Sequence, residues 1–410
     1  MSRTSTPTAG RSSRACSDGS PEPDRRRALD LVMELMSVPG DSGREGRVVE
    51  TIIRKLREAG ADARSIAQDE AHRRTILRGE VGNLVFKLPG TFSAPRRMLL
   101  AHVDTVPLCV GSQPRLKGGW VESADKQTGL GADNRAGAAV VLHTALELLR
   151  RRLPHPPLTF FWPVQEEVGL QGVRYARLGL LGRPRMSFNW DGGSAEKVTI
   201  GATGAYRLAI TIEGLASHAG GAPERGVSAI AIAGLAIADL ERRGWHGAIR
   251  KGRQQGTSNI GYIHGGVASN VVAPHVELRA EARSHDPQFR REIVAAIEAA
   301  FERAAQRVRS QSGQGGRVSI TSRLDYEAFA LQDTEPSVAA AEAAIRSIGQ
   351  QPFRALANGG LDANWLTARG IPTVTMGCGQ QSPHTVSERL DVAAFYSACR
   401  IAMRLAVAGD

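Results

Sequence analysis

The sequence predicts an α/β fold, with a mainly parallel sheet covered by helices on both faces and a smaller α+β domain inserted into it. Two features carry that expectation. From about residue 25, short apolar runs alternate with helix-period segments, as in strands joined by crossover helices. Around residue 204 the pattern changes to strict apolar/polar alternation, the mark of a sheet with one wet face. A length of 410 residues suits two such domains better than a single core.

Helix-period segments at Ala28–Met36 and Arg47–Ala59 open the ordered part, with Asp41 and Ser42 as cap candidates before the second and Gly60 closing it. Apolar runs at Asn83–Leu88 and Arg97–His102 read as buried strands, Ala136–Arg151 as a helix, and Leu158–Val164 and Met186–Trp190 as further strands. Alternation then begins at Tyr206, Leu208, Ile210 and Ile212. It is followed by a helix at Val227–Arg242, alternation at Val276, Leu278, Ala280 and Ala282, and an amphipathic helix at Pro287–Arg309. From Val318 the α/β pattern resumes. The expected division is a disordered leader at 1–24, a larger α/β domain at 25–203 and 316–410, and a smaller inserted domain at 204–315.

Composition removes several function classes. With 42% hydrophobic and 23% charged residues the chain reads as an ordinary soluble protein. Its apolar runs are broken well short of the roughly 18 residues a membrane helix needs, so no membrane partner is expected. The Ser-, Arg- and Pro-rich start lacks the apolar stretch of a secretory signal. Four scattered cysteines without a C-x-x-C pair argue against a disulfide framework and fit a cytoplasmic location. The net charge of +11 comes almost wholly from dispersed arginines, only six of the 52 basic residues being lysine. Aromatics are 5%, with no basic stripe or recognised module, so no nucleic-acid partner is expected.

Five segments carry chemistry. In Leu99-Leu100-Ala101-His102-Val103-Asp104, a strand ends in His and Asp two apart, on one side of the chain. One could bind a metal while the other fixes its tautomer, although alone the pair reads more readily as structural. The loop Gly129-Leu130-Gly131-Ala132-Asp133 delivers an acid to a helix start, as an N-cap or a bridging carboxylate. Glu166-Glu167 follows an apolar strand, and adjacent carboxylates there repel unless solvent or a cation compensates. Phe188-Asn189-Trp190-Asp191 again ends a strand with an acid, for which a turn is the ordinary explanation. Ser382-Pro383-His384 places a histidine in a loop before the last helix. Five such segments, mostly at strand ends where α/β sheets hold their ligands, make a donor set suited to Zn²⁺, Co²⁺ or Mn²⁺.

In these segments, from about residue 26 to the C-terminus, the sequence resembles the M20 family of metallopeptidases, and within it the tripeptidase-like, peptidase T-like branch. The resemblance implies a zinc-exopeptidase-like catalytic domain holding two Zn²⁺ per subunit, with Co²⁺ or Mn²⁺ as other fits. His102 and Asp191 would bind one ion, Glu167 and His384 the other, and Asp133 would bridge them. Asp104 would orient His102, and Glu166 would be the base that activates a metal-bridging water. Ser217-His218-Ala219-Gly220 resembles a lid segment whose histidine, here His218, stabilises the oxyanion. Asn270 and Arg283 match substrate-holding positions, and Gly360 lies in a loop lining the cleft. A cis Asp133-Asn134 peptide is also implied.

The resemblance makes a short-peptide aminopeptidase or tripeptidase the expected activity, because Asp rather than Glu at 191 accompanies free amino termini in that family. A carboxypeptidase or N-acyl amino acid deacylase is the alternative. A homodimer is expected through the lid, since Val227–Leu240 is apolar over more of its circumference than one covered face requires.

Overall fold

The computed structural model describes residues 21–407. Its main sheet has nine strands. At the centre Leu158–Trp162, Arg97–Leu100, Met186–Trp190 and Thr373–Met376 lie side by side and parallel. Every residue of these four strands is buried, the polar Arg97, Thr159, Ser187, Asn189, Thr373 and Thr375 among them, as in a sheet covered on both faces. Leu99, Phe160, Trp162 and Phe188 meet the helices Arg25–Ser37, Ala132–Arg151 and Val392–Val407 on one face. Met98, Leu100 and Phe161 point the other way, against Val173, Leu181 and Leu366. The mainly parallel, doubly covered sheet is as expected.

The second sheet is five-stranded and antiparallel, in the order Gly247–Lys251, Gln254–Gly265, His275–Ser284, Gly204–Glu213, Arg317–Tyr326. Leu208, Ile210, Ile212, Leu278 and Ala282 face the helices Ala229–Arg242 and Pro287–Arg307 and form a separate core with them. Alternate residues on the same strands face away from both helices. The first strand of this sheet in the chain begins at Gly204. The exit joint does not fall at 315: Arg317–Tyr326 pairs along Gly204–Glu213, from Arg317 opposite Glu213 to Tyr326 opposite Ala205. The insertion therefore runs to Tyr326, and the α/β pattern resumes after it.

Two local expectations are also corrected. The helix Gly46–Glu58 starts after Glu45 with no side-chain cap. Asp41 and Ser42 serve elsewhere, the Ser42 hydroxyl donating to Asp104 at 2.7 Å. Most of the leader, with Cys16, lies outside the described residues, but its end is anchored to the last helix. Glu22 pairs with Arg400 and Arg404, each at 2.7 Å, and the Tyr396 hydroxyl donates to the Pro23 carbonyl at 2.9 Å.

His143 sits inside Ala132–Arg151 with both ring nitrogens buried and without a hydrogen-bond partner. Burial pushes the imidazole down from its ordinary 6.5 to about 4. Between those values the unfolded chain binds a proton that the folded chain refuses, so stability is lost as the pH falls through that window. The loss amounts to roughly 3 kcal/mol. His143→Leu is expected to flatten this part of the stability curve in denaturant titrations from pH 7 to pH 4. An unchanged slope would contradict it.

Candidate metal centre

Because Arg97–Leu100, Leu158–Trp162 and Met186–Trp190 are parallel neighbours, their C-terminal ends open on one edge of the sheet. His102 and Asp104 follow the first, Glu166 and Glu167 the second, and Asp191 the third. Asp133 arrives on the loop that opens Ala132–Arg151, where Gly131 takes a left-handed φ of 77° that favours glycine. The Asp133-Asn134 peptide is cis, as the resemblance implies. His384 comes from the loop between the short strands Gln380–Gln381 and Arg389–Asp391. Gln165 and His384 themselves occupy left-handed backbone, at φ 55° and 62°, a conformation that persists where the surroundings impose it.

The side chains converge as two triads sharing one carboxylate. His102, Asp133 and Asp191 offer ligand atoms within 4.8 Å of one another, and so do Asp133, Glu167 and His384. His102 Nε2 lies 3.4 Å from Asp133 Oδ1 and 4.0 Å from Asp191 Oδ2. His384 Nε2 lies 3.4 Å from Asp133 Oδ2 and 2.9 Å from Glu167 Oε1. Glu166 belongs to neither triad, its Oε2 being 3.9 Å from His102 Nε2.

Electrostatics favours a cationic occupant. Burial, together with the like charge of neighbouring carboxylates, pushes Glu167 up to about 7 and Asp191 up to about 6, and raises Glu166 well above the carboxylate range. Burial also acts to raise Asp133, but the histidines at its two oxygens outweigh it and hold this carboxyl below the usual range. Contact with Asp133 and Glu167 pushes His384 up to about 10. Asp133 Oδ1 is buried with no hydrogen-bond donor. An orphaned oxygen on a carboxylate held between two imidazoles, beside three further carboxylates, fits divalent cations of the Zn²⁺, Co²⁺ or Mn²⁺ type.

A supporting shell fixes these groups, and most of it was not legible in the sequence. His102 turns Nδ1 toward Asp104 Oδ1 at 3.3 Å. Asp104, fully buried, also accepts the backbone N–H groups of Glu166 at 3.0 Å and Glu167 at 3.1 Å, so one carboxylate sets both the imidazole and the paired acids. Gln380 donates to Asp191 Oδ1 at 3.0 Å. Glu388 accepts from the N–H groups of Leu130, Gly131 and Asp133 at 2.9, 2.7 and 2.9 Å, clamping the Asp133 loop from the far end of the chain. Glu388→Gln sets an amide N–H₂ against these donors. It is expected to weaken metal binding about 10–100-fold, the usual effect of an outer-sphere change, in a chelator competition assay. Unaltered affinity would rule the clamp out.

Not every expected residue is at the cleft. Arg283 and Gly360 line it with the triads, joined by Arg207, Leu361 and Tyr326. A side chain on Gly360 would meet the Tyr326 ring at 2.6 Å, so glycine here admits that ring. His218 and Asn270 are exposed on the small-sheet unit and do not line the cavity around the triads. They are near each other, the Asn270 carbonyl accepting the Ala219 N–H at 2.9 Å. His218 Nδ1 accepts the Gly220 and Gly221 N–H groups at 3.2 and 2.9 Å, which assigns its ring proton to Nε2.

A doubly wound sheet with acid and histidine ligands gathered at its C-terminal edge defines a metal-dependent hydrolase of the exopeptidase class. The chain belongs to it by family as well: residues 98–408 match peptidase family M20/M25/M40, and the chain is a member of that family, on its peptidase T-like branch. Among solved structures it is similar to a tripeptidase from Staphylococcus aureus, with 30% identity, a TM-score of 0.85 and coverage of 94% of this chain and 99% of that one. It is also similar to the aminopeptidase PepT from Bacillus cereus, with 29% identity, a TM-score of 0.81 and coverage of 94% and 98%. The uncharacterised protein YqjE of Bacillus subtilis is 29% identical over 372 residues, 90% of this chain and 94% of that protein.

Proposed function

We propose that the protein is a two-zinc aminopeptidase acting on short peptides, tripeptides among them. The observation that carries this reading is the pair of triads joined through Asp133, with Glu166 beside them and in neither. Two divalent ions bound by His102, Asp191, Asp133, Glu167 and His384 would polarise the scissile carbonyl and acidify the attacking water. Glu166 accepts the proton of that water and passes it to the leaving amine as the C–N bond breaks. Asp104 keeps His102 in one tautomer and holds the Glu166 backbone in place. Arg283 faces the substrate's carboxylate end from the small sheet. His218, whose Nε2–H points out from its own turn, serves the oxyanion once the small-sheet unit, acting as a lid, closes over the cleft.

Asp191 and the names of the structural relatives, tripeptidase and aminopeptidase, support the preference for free amino termini. Comparing free and N-acetylated tripeptides tests it directly: the free peptides are expected to be cleaved, and cleavage of the blocked ones alone would point to a carboxypeptidase or deacylase.

Three buried free thiols, Cys109, Cys378 and Cys399, suit a reducing cytoplasm. A homodimer through the small-sheet unit fits its surface. Ile230 on Ala229–Arg242 is 49% exposed and Ile263 is 52% exposed. Beyond Ser258 the strand Gln254–Gly265 has no partner on its outer edge among the described residues. Sedimentation at micromolar concentration is expected to give a dimer; a monomer would remove that part of the reading.

A further inference from the structure

The uncovered face of the small sheet is not a neutral surface. A cavity of about 530 Å³ lies on it, lined by Arg207, Asn259, Tyr262, Arg279, Thr321 and Arg323 among others. Arg207 also lines the cleft around the triads, so the two cavities meet at one side chain. Strand register places these groups in rows. Arg207 stands between Glu281 and Arg323, and Ala209 in the next row between Arg279 and Thr321, with Tyr262 opposite Arg279.

Charge around this cavity is unbalanced, a further carboxylate on the same face, Glu277, lying 3.4 Å from His275 Nε2. Glu281 is used by Arg283, at 3.0 and 2.9 Å, and Asp325 by Arg207 at 2.6 Å and Arg323 at 3.4 Å. Two carboxylates thus serve three arginines. Arg279 has no carboxylate partner among the described residues; its guanidinium lies over the Tyr262 ring, 4.8 Å from the centroid, which holds it in place without neutralising it. A concave floor that carries surplus guanidinium charge on a largely apolar surface selects anions, and carboxylates above all, because the planar fork matches them.

From the proposed peptidase function, on which this inference rests, we infer that the groove is an extended subsite for the carboxylate-bearing C-terminal part of longer peptides. Substrates would therefore include acidic peptides of about six residues as well as tripeptides. Arg283 and Arg279 are four positions apart on His275–Ser284, about 13 Å at ~3.3 Å per strand residue. An extended peptide covers that span with about four residues. A substrate whose scissile bond lies at the triads and whose chain passes Arg283 and Arg207 would bring its last residues to Arg279 and Arg323.

The test compares kcat/KM of the zinc-loaded protein on free trialanine and on three hexapeptides, each starting with four alanines. One ends in Glu-Glu, one in Gln-Gln with a free carboxylate, and one in Gln-Gln amide. The expected result is a preference for the Glu-Glu peptide over the amide on the order of ten-fold, expressed mainly in KM. The free Gln-Gln peptide shows how much of it belongs to the terminal carboxylate. Arg279→Gln, and Arg323→Gln as an independent variant on the neighbouring strand, should each bring the Glu-Glu to amide ratio toward one. Equal treatment of the three hexapeptides by the unaltered protein, failure to cleave any of them, or a ratio unmoved in both variants would overturn the subsite. If trialanine is still cleaved in those cases, the peptidase function stands. If trialanine resists as well, that function and the subsite fall together.

Discussion

Glu166→Gln is expected to keep both metal ions and to lose at least ~10²–10⁴ in kcat, the range associated with removal of a general base. The substitution is nearly isosteric and touches neither triad. The Glu166 backbone remains fixed by its N–H donation to Asp104 at 3.0 Å, so the side chain is replaced in position. What disappears is a proton acceptor whose basicity burial and the neighbouring Asp191 and Glu167 raise. KM should change little, because no substrate contact is assigned to this carboxylate. Glu167→Gln is the contrasting variant: it alters the group 2.9 Å from His384 and should lose metal together with activity. Metal stoichiometry measured beside turnover separates the two. Loss of an ion from the Glu166 variant with retention of both in the Glu167 variant would reverse the assignment.

Asp133→Asn is expected to have the largest effect on the metals themselves. Asp133 is the only residue common to the two triads, its Oδ1 facing His102 and its Oδ2 facing His384. An amide keeps one oxygen and turns an N–H₂ group toward one of the ions. Stoichiometry should fall below two, and affinity should drop by more than the ~10–100-fold seen for outer-sphere changes. Turnover should fall at least as far as in Glu166→Gln. The neighbouring Asn134, whose amide donates to the Trp190 carbonyl at 2.7 Å, should keep the loop in place, so the variant should fold. Two ions bound with native affinity would contradict a bridging role.

The parts of this molecule that the sequence discloses are those whose signal is local. Arg97–Leu100, Leu158–Trp162 and Met186–Trp190 are buried on both faces, so they are rich in large apolar residues, and each is followed within four residues by groups that meet at the sheet edge. The exit joint was misplaced because the signal at Arg317–Tyr326 is weak. Val318 and Ile320 are only half buried and alternate with exposed Ser319 and Thr321, as befits an edge strand whose partner, Gly204–Glu213, lies more than a hundred residues earlier. The supporting shell was hidden for the same reason. Glu388 meets Asp133 across 255 positions and Gln380 meets Asp191 across 189, and neither contact leaves a periodic trace. His218 and Asn270 show the converse, since their motif is local and clear while neither side chain lines the cleft around the triads.

A titration of Zn²⁺ into chelator-stripped protein, following hydrolysis of a free tripeptide, tests the central claim most directly. No cleavage is expected without metal, and activity should climb until two equivalents per chain are bound. Full activity at one equivalent, or cleavage by the metal-stripped protein, would contradict the two-ion centre built on Asp133.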